Sequence, residues 1–273
     1  MKGTVAKSHS ESAPNFNVDT SWKSPPKNLV LGKNEVHVWR AALNVQPAQV
    51  RRLQQTLTVD ELARAVRFHF ERDRAHFIVA RGVLRTILSR YLAVEPSQLR
   101  FSYSLYGKPS LGGEFDAGAL CFNMSHADGL ALYAVTRGRD IGIDVERIRM
   151  DIANEQVAER FFSTQELAAL RALPRNNQSL AFFNCWTRKE AYIKARGEGL
   201  SLPLDQFDVS LAPGEPAALL RTSVGSQEAF RWLLRELAPG LGFVAALAVE
   251  GQSWQLKCYQ WPEDSYKPGT LKD

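Results

Sequence analysis

Cysteine is scarce in this chain. There are three in 273 residues, Cys121, Cys185 and Cys258, widely spaced and with no CxxC. No even disulfide framework can be drawn from them, and reduced thiols in a cytoplasmic protein are expected. Long apolar runs are also missing. The longest stretch, Leu241 to Val249, falls far short of the ~20 residues a membrane helix needs. The first twenty residues hold no apolar core, so no secretory signal is read there. Nor does one sign of charge dominate. Thirty-four basic against 29 acidic side chains leave +5, too small an excess to coat a nucleic-acid duplex unless it is concentrated. A GxSxG elbow is absent as well, so the adjacent Ser125 and His126 are not read as the nucleophile and base of a hydrolase.

What is present is an ordinary globular balance, 45% apolar and 23% charged, in a length that allows one large domain or two of about 130 residues. The basic excess is local. Residues 51–90 carry nine arginines against Asp60, Glu61, Glu71 and Asp73, which suggests a face for one anionic ligand rather than a polyanion. Residues 1–33, rich in Ser, Lys, Pro and Asn, read as a flexible extension, and 263–273 as a tail. Between them the pattern runs twice through strand, short helices, one long helix and further strands. The first long helix is expected at about Arg72–Leu92, with Phe77, Val83, Leu84, Ile87 and Leu88 inward and Arg74, Arg81 and Arg85 on one stripe. The second is expected at about Ser179–Ala195. The fold class is therefore α+β: two similar α/β lobes, 34–138 and 139–262, in a pseudo-twofold arrangement, each a small antiparallel sheet on a long helix, with a ligand cleft between them.

Three local signals carry chemistry. In Gly142-Ile143-Asp144-Val145-Glu146, strand alternation turns both carboxylates one way and Ile143 and Val145 toward the core. Two solvent-facing acids are the plainer reading of that pair alone. In Trp186-Thr187-Arg188-Lys189-Glu190-Ala191-Tyr192-Ile193-Lys194, Glu190 and Lys194 stand i,i+4, where a surface salt bridge is the default. The large apolar neighbours argue instead for a half-buried helix. If so, Glu190 could join Asp144 and Glu146 in an all-oxygen site suited to Mg²⁺ shared with phosphate. In Asn123-Met124-Ser125-His126, a hydroxyl and an imidazole near the arginine stripe suit phosphate binding, although a lone histidine is more often a packing or surface residue.

Taken together with Phe68-x-Phe70-x-Arg72-Asp73, Tyr106-Gly107-Lys108-Pro109, Phe161-Phe162-Ser163 and Gly197-x-Gly199-Leu200-Ser201-Leu202, these motifs resemble, in order and spacing over about residues 35–260, the Sfp-type 4′-phosphopantetheinyl transferases. The resemblance implies a holo-acyl-carrier-protein synthase. Such an enzyme moves the phosphopantetheine arm of coenzyme A onto a serine of an apo acyl or peptidyl carrier protein and releases adenosine 3′,5′-bisphosphate. It further implies Mg²⁺ (or Mn²⁺) on Asp144, Glu146 and Glu190, with Lys194 on the coenzyme A pyrophosphate. Arg72 and His126 would hold the 3′-phosphate, and Tyr103, Ser104, Lys108, Pro109, Asn123 and Ser125 would wall the nucleotide site. Glu190 is the candidate base for the carrier serine. The first lobe would bind the nucleotide and phosphates, and the second the metal and carrier. A monomer is expected, with neither nucleic acid nor membrane as partner. Two rival readings remain open at this point: a non-catalytic coenzyme A or nucleotide-binding regulator, and a basic nucleic-acid-binding protein.

Overall fold

The computed structural model describes residues 21–113, 120–149 and 154–262. Residues 1–20 of the expected extension, and the expected tail 263–273, lie outside them. Strands β1 (Glu35–Ala42), β4 (Leu120–Ala127) and β5 (Leu130–Arg137) form one sheet with β11 (Gln255–Gln260), in the order β11-β1-β5-β4. A second sheet runs β6-β10-β9, from Ile141–Arg147, Phe243–Glu250 and Trp232–Leu237. Two short hairpins, β2/β3 (Phe101–Tyr103, Pro109–Leu111) and β7/β8 (Phe207–Val209, Leu219–Thr222), lie outside the two sheets.

Residue alternation explains the layering. Val36 and Val38 of β1 and Leu132 and Ala134 of β5 meet Ile143 and Val145 of β6 and Ala245 and Leu247 of β10 in one buried cluster between the sheets. Their strand neighbours face outward onto helices. Trp39, Tyr133 and Val135 pack on Val83, Leu84 and Ile87 of α3 (Glu71–Leu92). Val244, Ala246 and Ala248 pack on Phe182, Cys185 and Ala195 of α6 (Arg175–Arg196). The layers thus run helix, sheet, sheet, helix, and the mixed α+β class read from the sequence holds. No described helix is long and apolar enough to cross a membrane.

Several expectations change. The first sheet is not wholly antiparallel, because β11 pairs parallel with β1, from Glu35↔Gln255 to Arg40↔Gln260. A strand late in the chain, grouped by sequence with the second lobe, therefore completes the first sheet. The stretch 21–33, read as mobile, is tied to that same edge. Lys23 N–H donates to the Cys258 carbonyl and Gln260 N–H to the Lys23 carbonyl, while Leu31 is buried in the α3 core. The sequence pattern opens a helix at Gln46-Pro47 and runs it through Leu57; the chain instead ends α1 (Pro47–Gln54) earlier and adds a separate α2 (Val59–Ala65) beyond that span, which the pattern does not announce. The break is a capping box: Thr58 N–H donates to Glu61, and the pair reads Thr-x-x-Glu in the sequence. Lastly, α4 (Asn154–Phe161) and α5 (Thr164–Ala172) form where the sequence pattern places short helices, near Asn154–Arg160 and Thr164–Ala172.

Candidate active site

The arginine stripe of α3 turns out to be mostly structural. The helix is buried from Ile78 to Ser89, including Arg81 and Arg85. Both guanidinium groups close on Glu61 of α2, Arg85 at 2.6 Å. Arg85 spends its other donors on the Pro96 and Leu99 carbonyls and Thr58. Arg81 reaches Tyr103 Oη at 2.6 Å and lies over the Phe101 ring. No sequence signal beyond the capping box announced α2, so the partner of these cations was missed.

The chemistry gathers where the two sheets meet edge to edge. β4 and β6 are joined there by side chains. Asn123 Oδ1 accepts from the Ile143 amide at 3.0 Å, and Ser125 Oγ donates to Asp144 Oδ1 at 2.9 Å. Asn123, expected on a nucleotide wall, is buried and spends its carbonyl oxygen on this seam.

Gly142 sets the depth of α6. A Cβ there would lie closer than 3.0 Å to the Ala191 carbonyl oxygen and to the Ala195 amide and Cα. Only a glycine beneath two alanines allows the helix so near the strand. That approach carries Lys194 onto Asp144: its Nζ donates to Oδ1 at 2.5 Å and to Ser125 Oγ at 3.1 Å. Asp144 is therefore not the surface acid that a lone pair of strand carboxylates suggests. Its side chain is 4% exposed, and Oδ2 is buried with no hydrogen-bond partner.

Glu146 and Glu190 stand half-buried on the same side, on β6 and α6. Burial pushes the Asp144 carboxyl up, and Lys194 and Ser125 only oppose this. Burial, then the charge of Asp144, pushes Glu146 up to about 7. Glu190 is raised for the same two reasons. Three carboxylates that disfavour one another's charge are short of a cation. Yet among the described residues no three His, Cys, Asp or Glu side chains are gathered closely enough to hold one.

Three hollows adjoin the seam. One is lined by Ser125, His126 and Lys194 together with Arg64, Arg81 and Phe77. His126 and Phe77 also line the second, with Arg72, His76, Asn44 and Asp128. The structure thus brings Arg72 and His126 to one concavity, as the sequence suggested. The His126 imidazole is held below its ordinary pKa by desolvation, then by the charges of Lys194 and His76. The third hollow gathers Tyr103, Ser104, Lys108 and Pro109 beside Arg196 and Gly197 at the end of α6. Lys108 donates to the Ala195 carbonyl at 2.6 Å, which ties the β2/β3 hairpin to that helix end. Through its contact with Tyr103, Arg81 links the first hollow to the third.

Lys189, the other lysine of the α6 motif, is fully buried. It bonds Glu166 of α5 at 2.8 Å and the Leu204 and Phe207 carbonyls at 2.6 Å. Of the apolar residues on α4, α5 and the turn between them, Phe162 and Leu170 belong to the α6 core, and Val157 and Phe161 pack against it.

Comparison with known proteins gives a consistent result. A family model described as the 4′-phosphopantetheinyl transferase superfamily matches residues 140–248. Another, described as the N-terminal part of 4′-phosphopantetheinyl transferase, matches residues 41–137. The chain is similar to the 4′-phosphopantetheinyl transferase HetI of Nostoc sp., 45% identical over 241 residues, or 88% of this chain and 98% of that protein. It is 36% identical over 145 residues to the 4′-phosphopantetheinyl transferase Sfp of Bacillus subtilis, 53% of this chain and 62% of that one. A phosphopantetheinyl transferase of Thraustochytrium sp. is 26% identical over 197 residues, 68% of each chain.

Proposed function

This chain belongs to the 4′-phosphopantetheinyl transferase superfamily, and on that premise we propose that the seam between β4, β6 and α6 is its active site. The enzyme transfers the 4′-phosphopantetheine arm of coenzyme A to a serine of an apo carrier protein and releases adenosine 3′,5′-bisphosphate. The nucleophile is the carrier's, so no serine here need be catalytic. One observation carries the assignment of the site: a buried carboxylate, Asp144, with one oxygen held by Lys194 and the other without a partner, behind the Lys194 and Ser125 side chains that line a basic hollow. The regulator reading finds no support, since the relatives named above are transferases and mere binding gives that carboxylate no task.

Displacement at a pyrophosphate phosphorus is mostly positioning and neutralisation of charge. The unpartnered Asp144 oxygen and the raised carboxyls of Glu146 and Glu190 suit a divalent cation, Mg²⁺ or Mn²⁺, which these three residues would hold with phosphate once their carboxylates draw closer than they stand here. When bound, such an ion would offset charge on the transferred and leaving oxygens. Lys194 would place its ammonium on the pyrophosphate. Glu190, raised and half-buried, would accept the carrier serine's proton, directly or through water.

The adenosine end would lie along the other hollows. Arg72 offers a fork to the 3′-phosphate, with His126 beside it, and the Tyr103–Pro109 loop walls the nucleotide. The two family matches meet between 137 and 140, which favours a division of labour near Gly138, with nucleotide and phosphates on 34–138 and metal and carrier on 139–262. A pseudo-twofold relation of the halves is favoured by the 22-residue helix that each sheet carries on its outer face. The three cysteines form no disulfide with one another, in keeping with a cytoplasmic enzyme.

The test is direct. Incubated with coenzyme A, Mg²⁺ and an apo acyl or peptidyl carrier, the protein adds one phosphopantetheine mass to the carrier. A carrier lacking its acceptor serine stays unmodified. Labelling of the serine-less carrier, or of neither, would remove the reading.

A further inference from the structure

Lys194 is committed twice over. Its ammonium is the cation on Asp144 Oδ1, at 2.5 Å, and it is braced by Ser125 Oγ at 3.1 Å. The same side chain, 29% exposed, lines the hollow that holds Arg64, Arg81 and His126 and no acidic residue. One end of its range is thus a buried carboxylate and the other a concavity whose lining includes Arg64 and Arg81 and no carboxylate. The ammonium lies on the carboxylate, and an anion in the hollow would compete for it. An anionic ligand there would reverse that balance and free Asp144 at the same moment. The unpartnered Oδ2 beside the pair shows that this carboxylate has capacity for a further partner.

We propose that Lys194 is the resident counter-ion of Asp144, and that it competes with a divalent cation for the charge of that carboxylate. Metal and coenzyme A are thereby coupled: the phosphates draw Lys194 into the hollow as the metal takes its place. This inference rests on the metal reading above and adds a second task for Lys194. It also gives Ser125 a positioning role, as the brace that holds the ammonium on Oδ1 while the hollow is empty.

The coupling has a distinctive sign. A lysine that merely supports the site would, on removal, weaken cation binding or leave it unchanged. A resident competitor, on removal, strengthens it. Mn²⁺ binding, read by electron paramagnetic resonance on the full chain at pH 8, separates the two. Mn²⁺ alone should bind Lys194→Met about ten- to a hundredfold tighter than wild type, the worth of one charge-assisted hydrogen bond. The gain that coenzyme A gives to Mn²⁺ affinity should shrink correspondingly, as linkage requires. Lys194→Arg, which keeps the charge, should resemble wild type. Lys194→Gln, neutral but still able to donate to Asp144, serves if the methionine variant does not fold, and it should also bind Mn²⁺ tighter. Unchanged or weaker Mn²⁺ binding by a folded neutral variant overturns the counter-ion role. If wild type with coenzyme A binds no more Mn²⁺ than coenzyme A alone, the metal reading itself fails, and this proposal with it.

Discussion

Gly142→Ala is the most informative single change away from the reacting groups. The added methyl would sit closer than 3.0 Å to three backbone atoms of α6, the Ala191 oxygen and the Ala195 nitrogen and Cα. Backbone cannot rotate out of the way, so α6 must move off β6 by about 1 Å to restore van der Waals contact. Overpacking of this kind costs about 1–3 kcal/mol, and a purely backbone obstruction belongs near the upper figure. For a domain of this size that corresponds to a melting temperature roughly 6–12 °C lower. The same shift carries Glu190 and Lys194 away from Asp144, and a misplacement of about 1 Å can cost on the order of a hundredfold in rate. Thermal melts followed by circular dichroism give the first number. Turnover with coenzyme A and apo carrier, well below the variant's melt, gives the second. Gly138→Ala is the control, because nothing lies within 4 Å of a Cβ there although φ is +61°; it should cost roughly 1 kcal/mol in backbone strain and leave turnover intact. A Gly142→Ala protein with wild-type melt and turnover would refute the idea that this glycine sets the depth of α6.

Glu146, pushed up to about 7 by burial and by Asp144, should make metal-dependent transfer rise as pH increases through about 7. The free chain should lose stability as pH rises from about 4.5 to about 7, because the folded state favours the protonated acid, and Glu146→Gln should flatten that limb in urea titrations. Glu61→Ala leaves two buried guanidinium groups without their carboxylate and should cost about 3–5 kcal/mol in denaturant unfolding; a loss below about 1 kcal/mol would be in the range of an exposed pair. Arg72→Ala should weaken coenzyme A roughly ten- to a hundredfold, and the Arg72→Ala, His126→Ala double variant should lose most of the preference over dephospho-coenzyme A. Binding to wild type should weaken as pH rises, because the phosphate dianion favours a charged imidazole that the free chain disfavours. A double variant that still discriminates would move the 3′-phosphate to other cations.

Local patterning made much of this legible. Alternation along Ile141–Arg147 placed Ile143 and Val145 in the core between the sheets and turned Asp144 and Glu146 the other way. Helical periodicity located both 22-residue helices to within a few residues of their ends. What escaped was non-local. The parallel pairing of β11 with β1 joins residues some 220 positions apart, and no local pattern encodes it. Arg81 and Arg85 looked like a ligand-facing stripe because their partner, Glu61, lies on a seven-residue helix whose one signal was Thr58-x-x-Glu61. Asp144 looked exposed because carboxylates usually are. Its burial follows from Gly142, two residues away, which lets α6 close over the strand.

The central claim is that Asp144 and its α6 partners carry out the transfer. Intact-mass spectrometry of an apo carrier, incubated with coenzyme A, Mg²⁺ and either wild type or Asp144→Asn, tests it most directly. The substitution keeps the side chain's shape and one acceptor oxygen but removes the charge that pairs with Lys194. Wild type should convert the carrier to its phosphopantetheinylated mass, and the folded Asp144→Asn protein should leave it at the apo mass. Conversion by that variant at the wild-type rate would contradict the assignment.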